Sequence, residues 1–236
     1  MKKITSLSLF FPVFNDARII PVLVEKANKT AQEITDDYEI ICINDGSTDT
    51  TYQVLNHLQE NYSRLKIIHH KKNKGYGGAL ISGFENSTKE WIFYTDGDGQ
   101  YDPNELTSLV NVLQNGVDVV NGYKLKREDS LIRKIVGNLN NFLVHAFFPI
   151  PISDIDCDFR LIRSSLMKKI ELTFSSGTIC TELILKLQKQ GAGFTEVGVH
   201  HYKRKFGQSQ FFSFIRVIQT IIDNTKLFLA FKRNKL

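Results

Sequence analysis

The residues best suited to chemistry lie in the stretch WIFYTDGDGQYD, residues 91–102. Its four bulky apolar residues predict a buried strand, and the acids and glycines that follow predict a polar edge. Because the intervening glycines let the backbone bend, the side chains of Asp96, Asp98 and Gln100 can converge on one point. Such a cluster of oxygen atoms suits a hard cation, Mg²⁺ or Mn²⁺.

Three alternatives for this stretch need different chemistry. An EF-hand calcium loop is excluded, because Tyr101 and Thr107 stand where it needs glycine and glutamate. A phosphatase with Asp96 as a covalent nucleophile begins with the same strand and D-x-D-G pattern, so it stays open. A turn whose acids are only solvated also stays open, since aspartate and glycine are common in turns.

The surrounding chain must position these residues, and its pattern predicts a mostly parallel sheet covered by helices on both faces. Short apolar runs alternate with amphipathic stretches of helical length through the first half. Ligands bind beyond the carboxyl ends of the strands in such sheets. The predicted strands are 6–13, 38–44, 65–70, 91–95 and 117–123, and the predicted helices are 17–33, 49–62, 77–88 and 103–115.

Polar residues also follow the first two strands, which end in P-V-F-N-D (12–16) and N-D-G-S (44–47). Asp16 and Asp49 could simply cap the helices that come next. We favour a functional role for Asp45, because the Ser-Thr-Asp run after it suffices for capping. Three acidic strand ends are therefore predicted to meet on one rim.

The segment KKNKGYGGALISGF, residues 71–84, is a weaker signal. It matches neither the phosphate-loop pattern nor G-x-G-x-x-G, and tight helix packing explains Gly77 and Gly78 equally well. The histidine pairs 69–70 and 200–201 are predicted to be structural, because neighbours on a strand face opposite sides.

A second acidic cluster lies in ISDIDCDFRLI, residues 152–162, ahead of a strand-like F-R-L-I. Asp154, Asp156 and Asp158 follow one another at period two, so they share a face if the stretch is extended. Their repulsion would then be relieved by a cation or by raised pKa values. Further on, Glu182 in a helix-like stretch fits a surface position and a site position equally well.

The basic excess of the chain lies at its C-terminal end. The net charge is +5, but residues 201–236 carry eight Lys and Arg against one acid, a local charge of +7. The basic loop 203–209 can hold a phosphate. Helices are predicted over 131–147 and 211–230, and the broad apolar face of the second suits either packing or an anionic membrane surface.

Length and composition set the remaining limits. With 236 residues and 42% apolar content, the chain can bury a large core. Three cysteines without paired spacing indicate neither disulfides nor zinc, and favour a reducing, cytosolic setting. Residues 1–14 look only superficially like a secretion signal, because no small-residue cleavage site follows. Nucleic-acid binding is not expected, since the cations are not interleaved with stacking aromatics.

Taken together, the ordered motifs resemble the family 2 glycosyltransferases, and within them the branch of dolichol-phosphate mannose synthase and bacterial polyprenyl-phosphate glycosyltransferases. The motifs are P-x-x-N-D, N-D-G-S, N-K-G-Y-G-G-A, D-x-D-x-Q, D-x-x-C-x-F-R and a late R-x-x-G-x-S. The resemblance implies a GT-A-like α/β fold, a mostly parallel twisted sheet flanked by helices. It also implies a catalytic domain over 1–210, with a nucleotide-sugar half at about 1–123 and an acceptor half at about 124–210, before an amphipathic basic helix and tail over 211–236.

The resemblance also implies roles for individual residues. It places Pro12, Phe14, Asp16, Ile43, Asp45, Asp96, Gly97, Asp98 and Lys124 at the nucleotide-sugar. It implies Mg²⁺ or Mn²⁺ held by Asp96, Asp98 and Gln100, an acceptor phosphate at Arg204 and Ser209, and catalysis by Asp98, Asp154 and Arg204. Three positions differ from the family's pattern: Asp16 stands in place of glutamate, Lys124 in place of arginine, and Gln210 where a relative often has lysine.

The implied reaction is inverting transfer of a sugar from UDP or GDP to a polyprenyl phosphate, by an enzyme bound peripherally at the cytoplasmic face of a membrane. A phosphate acceptor needs almost no general base, because it is already largely ionised at neutral pH. A saccharide or other soluble acceptor, with Asp154 or a neighbour as base, stays open. A non-catalytic membrane scaffold is a third possibility.

Overall fold

The computed structural model describes residues 2–127, 131–204, 206 and 214–233. Within these residues the strands are β1 (Leu7–Val13), β2 (Tyr38–Asn44), β3 (Leu65–His69), β4 (Trp91–Thr95), β5 (Val119–Arg127), β6 (Phe159–Arg163) and β7 (Phe194–His201). The helices are α1 (Ile20–Ile34), α2 (Thr51–Asn61), α3 (Gly75–Asn86), α4 (Leu106–Asn111), α5 (Leu131–Phe147), α6 (Ser164–Met167), α7 (Thr178–Lys189) and α8 (Phe214–Lys232).

These strands form one seven-stranded sheet in the order β3-β2-β1-β4-β6-β5-β7. The pairs β1-β2, β2-β3, β1-β4 and β5-β7 are parallel, whereas β6 runs antiparallel to both β4 and β5. The chain moves outward from β1 to β3 and then returns to place β4 on the other side of β1. This reversal of strand order opens a crevice at the carboxyl ends of β1 and β4.

Helices cover both faces of the sheet because alternate side chains of each buried strand point to opposite sides. On one face, Leu9 and Phe11 belong to a core that includes the buried side of α1. On the other face, Phe10 packs with Phe84 of α3 and Tyr94 of β4, with ring centroids 5.0 and 5.4 Å away. The mostly parallel sheet with two helical layers confirms the predicted fold class.

A third apolar cluster joins α5, α7 and α8 away from the sheet. Phe148, just after α5, contacts Phe228 and Phe231 of α8, and Ile184 and Leu185 of α7 are buried in the same cluster. The C-terminal helix is therefore packed along part of its length. None of the helices in the described ranges is long and apolar enough to span a bilayer.

One local prediction is wrong, and one condition considered for the sequence is not met. The single helix predicted over 103–115 is a 3₁₀ turn, Pro103–Glu105, followed by the short α4, because the Asp102 side chain accepts from the Asn104 N–H and starts a separate turn. The segment 152–158 consists of bends, a turn and irregular backbone that lead into β6, so the extended conformation that would place its acids on one face does not occur.

Candidate active site

The carboxyl ends of β1 and β4 touch each other at the crevice. A Cβ at Gly97 would lie 2.5 Å from the carbonyl oxygen of Pro12, so only glycine allows this approach. Beside it, Asn15 adopts a φ of 59° and its side-chain oxygen accepts the N–H of Thr48, 2.8 Å away. The loops after β1, β2 and β4 thus meet on one rim, as the sequence predicts.

Asp96 and Asp98 stand at this rim with different partners. The hydroxyl of Tyr76 donates to Asp96 Oδ1 over 2.9 Å. The buried Asp98 accepts the backbone N–H of Gln100 on Oδ1, and Nη2 of Arg204 lies 2.6 Å from its Oδ2. The segment after β7 therefore brings a guanidinium to the acids that follow β4.

The rim carries more carboxylate charge than the cations among the described residues can balance. Burial raises the pKa of Asp96 well above its usual range, and the nearby charges of Asp158 and Asp98 raise it further. Burial also raises the pKa of Asp16 from 3.8 to about 7, against the opposing effect of Arg204. A bound cation would relieve this excess of carboxylate charge.

The donor set fits a cation that binds together with a ligand. Among the described residues, no group of three or more His, Cys, Asp or Glu side chains could by itself hold a metal ion. Gln100, which is also predicted as a ligand, donates through Nε2 to the carbonyl of Tyr202, 3.0 Å away. Mg²⁺ commonly takes one or two carboxylates and completes its shell with substrate phosphates and water, and Asp96 and Asp98 fit that mode.

Asp45 lies at the end of β2, and its carboxylate is buried. It accepts the backbone N–H groups of Lys74 and Gly75 over 2.8 and 3.0 Å, and Nδ1 of His70 lies 2.6 Å from Oδ1. The loop before α3 is therefore fixed to the end of β2. Of the other residues predicted at the nucleotide, Pro12 and Phe14 lie at the end of β1, and Ile43 is buried in β2.

The three acids of the 154–158 segment diverge because the segment is not extended. Asp154 pairs with Nζ of the buried Lys124, 3.3 Å away. Asp156 accepts from Nδ2 of Asn140 over 2.9 Å, and Asp158 lies 3.5 Å from Nη1 of Arg160. Each carboxylate has its own partner, so the three do not form the single acidic face that an extended segment would give them.

Two residues that were not predicted as site residues support the site. Arg160 is fully buried, and its Nη1 donates to the Tyr94 hydroxyl over 2.5 Å, beneath the rim. Tyr76 belongs to the glycine-rich segment that gave only a weak signal, although it contacts Asp96. Arg160 is the arginine of the D-x-x-C-x-F-R motif, so that motif could have indicated it.

The remaining predictions have different outcomes. Glu182, which fitted two positions in the sequence, is buried and accepts the N–H groups of Thr173 and Phe174, so it holds the chain ahead of α7. Asp16 does not cap α1 with its side chain, which instead accepts from the N–H of Phe14. Ser209 lies outside the described residues.

Comparison with known proteins gives a family and relatives. A family model described as glycosyl transferase family 2 matches residues 8–171. An undecaprenyl-phosphate 4-deoxy-4-formamido-L-arabinose transferase of Yersinia enterocolitica is 29% identical over 223 residues, 94% of this chain and 67% of that protein. A protein of the same description from Yersinia pestis is 28% identical over 93% of this chain and 66% of its own length. The chain thus spans about two thirds of these relatives.

Solved structures share the fold at low identity. Glucosyl-3-phosphoglycerate synthase from Mycobacterium tuberculosis, in complex with Mn²⁺, UDP and glucosyl-3-phosphoglycerate, gives a TM-score of 0.72 at 16% identity, covering 93% of this chain and 79% of that one. A mannosyltransferase from Pyrobaculum calidifontis, in complex with GDP-mannose and Mn²⁺, gives a TM-score of 0.65 at 16% identity, covering 92% and 61%. These likenesses confirm a GT-A-like architecture.

Proposed function

Because this chain belongs to glycosyltransferase family 2, we propose that it transfers a sugar from a UDP- or GDP-linked donor to a membrane polyprenyl phosphate. The curated relatives are named for transfer to undecaprenyl phosphate, which supports this acceptor class. Because the chain belongs to a glycosyltransferase family, we no longer interpret the rim as the site of a phosphatase or as part of a non-catalytic scaffold. The observation that carries the proposal is the meeting of Arg204 with the acids after β4.

In the proposed reaction, an oxygen of the acceptor phosphate attacks the anomeric carbon of the sugar. The bond from that carbon to the nucleoside diphosphate breaks, and the diphosphate leaves with the electron pair, so a single displacement inverts the carbon. A divalent cation held by Asp96 and Asp98 would neutralise charge on the leaving diphosphate. The structural relatives solved with Mn²⁺ and nucleotide support this choice of Mg²⁺ or Mn²⁺.

The residues of the chain would bind and orient the two substrates. Asp45 and the end of β1 would hold the nucleoside, and Arg204 would exchange Asp98 for phosphate oxygens when substrates enter. Asp154, held by Lys124, is proposed to lie near the transfer site. No proton has to be removed from an ionised acceptor phosphate, so a pair already neutralised by lysine suits that environment.

The acceptor would reach the site from a bilayer surface to which the protein binds peripherally. On α8, Ile221 has 61% of its surface exposed, and on α5, Phe142 has 69% exposed. The two helices meet where the rings of Phe147 and Phe228 lie 5.3 Å apart. Exposed apolar side chains beside Lys226 and Lys232 suit an anionic membrane surface, which we place at the cytoplasmic face.

A product-partition assay tests the proposal. Radiolabelled UDP- and GDP-sugars are offered with undecaprenyl phosphate and Mn²⁺, and the label is followed into the organic phase. We expect lipid-linked label that depends on both the metal and the lipid phosphate. Label transferred only to water-soluble products would instead support the alternative of a saccharide or other soluble acceptor, with Asp154 or a neighbour as base.

A further inference from the structure

Behind Asp45 lies a buried chain of hydrogen bonds that the proposed reaction does not use. His70 Nδ1 lies 2.6 Å from Asp45 Oδ1, and its Nε2 lies 2.9 Å from Oγ of Ser82 on α3. All three side chains have less than a tenth of their surface exposed. The chain therefore links the end of β2 to the middle of a core helix.

The charge and tautomer of His70 set the direction of these bonds. An ionised carboxylate can only accept, so Nδ1 of His70 carries the proton that it donates to Asp45. In the neutral ring Nε2 then accepts, and the hydroxyl of Ser82 donates to it. Hydrolases use the same residue types for nucleophilic attack, but Ser82 is buried within α3, so here the arrangement orients a carboxylate.

The protein occupies only part of the hydrogen-bond acceptor positions of the Asp45 carboxylate. A carboxylate offers about four lone-pair positions. Within the part of the chain that the structure describes, Asp45 Oδ1 bonds to His70 and to the N–H of Lys74, and Oδ2 accepts the N–H of Gly75. By this count, one acceptor position on Oδ2 has no partner among the described residues.

We propose that His70, held by Ser82, is a positioning residue for nucleotide recognition. It turns Asp45 so that the last acceptor position of Oδ2 meets a ring N–H of the base. Uracil and guanine carry such an N–H, whereas cytosine and adenine present an acceptor at the corresponding ring nitrogen. This inference rests on the proposed function and adds the reason for its choice between bases.

Calorimetric titration of the full chain with Mn²⁺ and UDP, GDP, CDP or inorganic pyrophosphate tests the inference. His70→Leu removes the donor to Asp45, and we expect it to weaken binding of the preferred nucleotide by about tenfold. Its preference over CDP should shrink, while the Kd for Mn²⁺-pyrophosphate stays within about twofold because pyrophosphate has no base to recognise.

A matched pair of variants separates positioning from folding. His70→Asn places an amide N–H where Nδ1–H lay, so it should restore most of the affinity for the preferred nucleotide. Ser82→Ala keeps the ring but frees it to turn, so it should show the His70→Leu pattern in weaker form. Melting temperatures of all variants monitor the fold.

The outcomes distinguish the two claims. If the wild-type protein binds neither UDP nor GDP in the presence of Mn²⁺, the proposed function fails, and the inference fails with it. If it binds one of them and His70→Leu binds equally well, only the inference is overturned. Equal weakening of nucleotide and pyrophosphate would also overturn it, because that pattern indicates general structural damage.

Discussion

Nη2 of Arg204 lies 2.6 Å from Oδ2 of Asp98, although 106 positions separate the two residues in the chain. The neighbouring Asp98 carboxylate raises the pKa of this guanidinium, even though burial acts to lower it. A fixed positive charge thus stands where the proposed cation would bind. The guanidinium and the proposed metal ion would repel each other unless a substrate phosphate replaced Asp98 as the partner of Arg204.

Replacing Arg204 should therefore separate metal binding from turnover. In Arg204→Gln, we expect Mn²⁺ alone to bind more tightly, because the competing charge at Asp98 is gone, while kcat falls by about 100-fold because the diphosphate loses a charged donor. Electron paramagnetic resonance titration of Mn²⁺ and steady-state kinetics measure the two effects. Arg163→Gln, which removes a pair with Asp118 far from the crevice, is the control; weaker Mn²⁺ binding in Arg204→Gln would contradict this account.

The carboxylates of the rim should be required for metal-dependent nucleotide binding. Asp98→Asn keeps the size of the side chain but removes a charge, and we expect Mn²⁺-dependent binding of nucleoside diphosphate to weaken by about 100-fold. Calorimetry with and without Mn²⁺ measures the loss. Asp37→Asn, an exposed acid paired with Lys89, should bind as the wild type does. Retained metal dependence in Asp98→Asn would remove this residue from the cation site.

Much of the fold could be predicted from sequence because it depends on local pattern. The apolar run at 91–95 coincides with β4, and that at 38–44 with β2. The glycines and acids that follow these strands are also a local pattern, and they indicated the polar rim at the carboxyl ends of the strands. The chain returns to the sheet at each of these runs, so the carboxyl ends had to meet on one side.

The contacts that complete the site could not be predicted, because they join distant segments. Nothing near Arg160 in the sequence shows that it is fully buried beneath Tyr94. The spacing of Asp154 and Asp158 suggested a shared face, but partners from β5 and β6 draw them apart. The sequence pattern identified which residues belong near the site, but tertiary contacts determine where their side chains point.

The pKa of Asp16 should make stability depend on pH. Burial raises it to about 7 in the folded protein, against 3.8 for the exposed group. Between these values the folded state holds a proton that the unfolded chain has released, so the contribution of Asp16 is present below about pH 4 and is lost as pH rises to about 7. Asp16→Asn should therefore raise the melting temperature relative to wild type at pH 8 more than at pH 4.5. Equal differences at both pH values would contradict the assignment.

Gly77 should tolerate no side chain. A Cβ there would lie 2.1 Å from the carbonyl oxygen of Phe174, and its own N–H already donates to Ser175 over 2.9 Å. Because backbone cannot move aside cheaply, we expect Gly77→Ala to reduce the free energy of unfolding by about 3 kcal/mol. Gly191→Ala, with open space but a φ of +79°, should cost about 1 kcal/mol. Urea denaturation of both variants measures the difference, and equal losses would contradict the steric explanation.

Binding to a bilayer should depend on the exposed apolar side chains of α5 and α8. Phe142 and Ile221 are among the most exposed large apolar residues described, at 69% and 61%. Burying two such side chains in lipid contributes about 3 kcal/mol, so the double variant Phe142→Ser, Ile221→Ser should bind phosphatidylglycerol vesicles about 100-fold more weakly. Val22→Ser, at a 45% exposed position on α1, should bind normally.

Vesicle flotation measures this binding, and the salt dependence identifies its second component. Lys226 and Lys232 lie on α8 beside the apolar residues, and each cation near an anionic surface contributes about 1 kcal/mol that salt screens. High salt should therefore weaken the wild type and the double variant by similar factors, because it acts on the charges that both retain. Unchanged flotation of the double variant, with an unchanged melting temperature, would mean that the bilayer contacts another surface, and the acceptor lipid would then have to reach Arg204 by a different route.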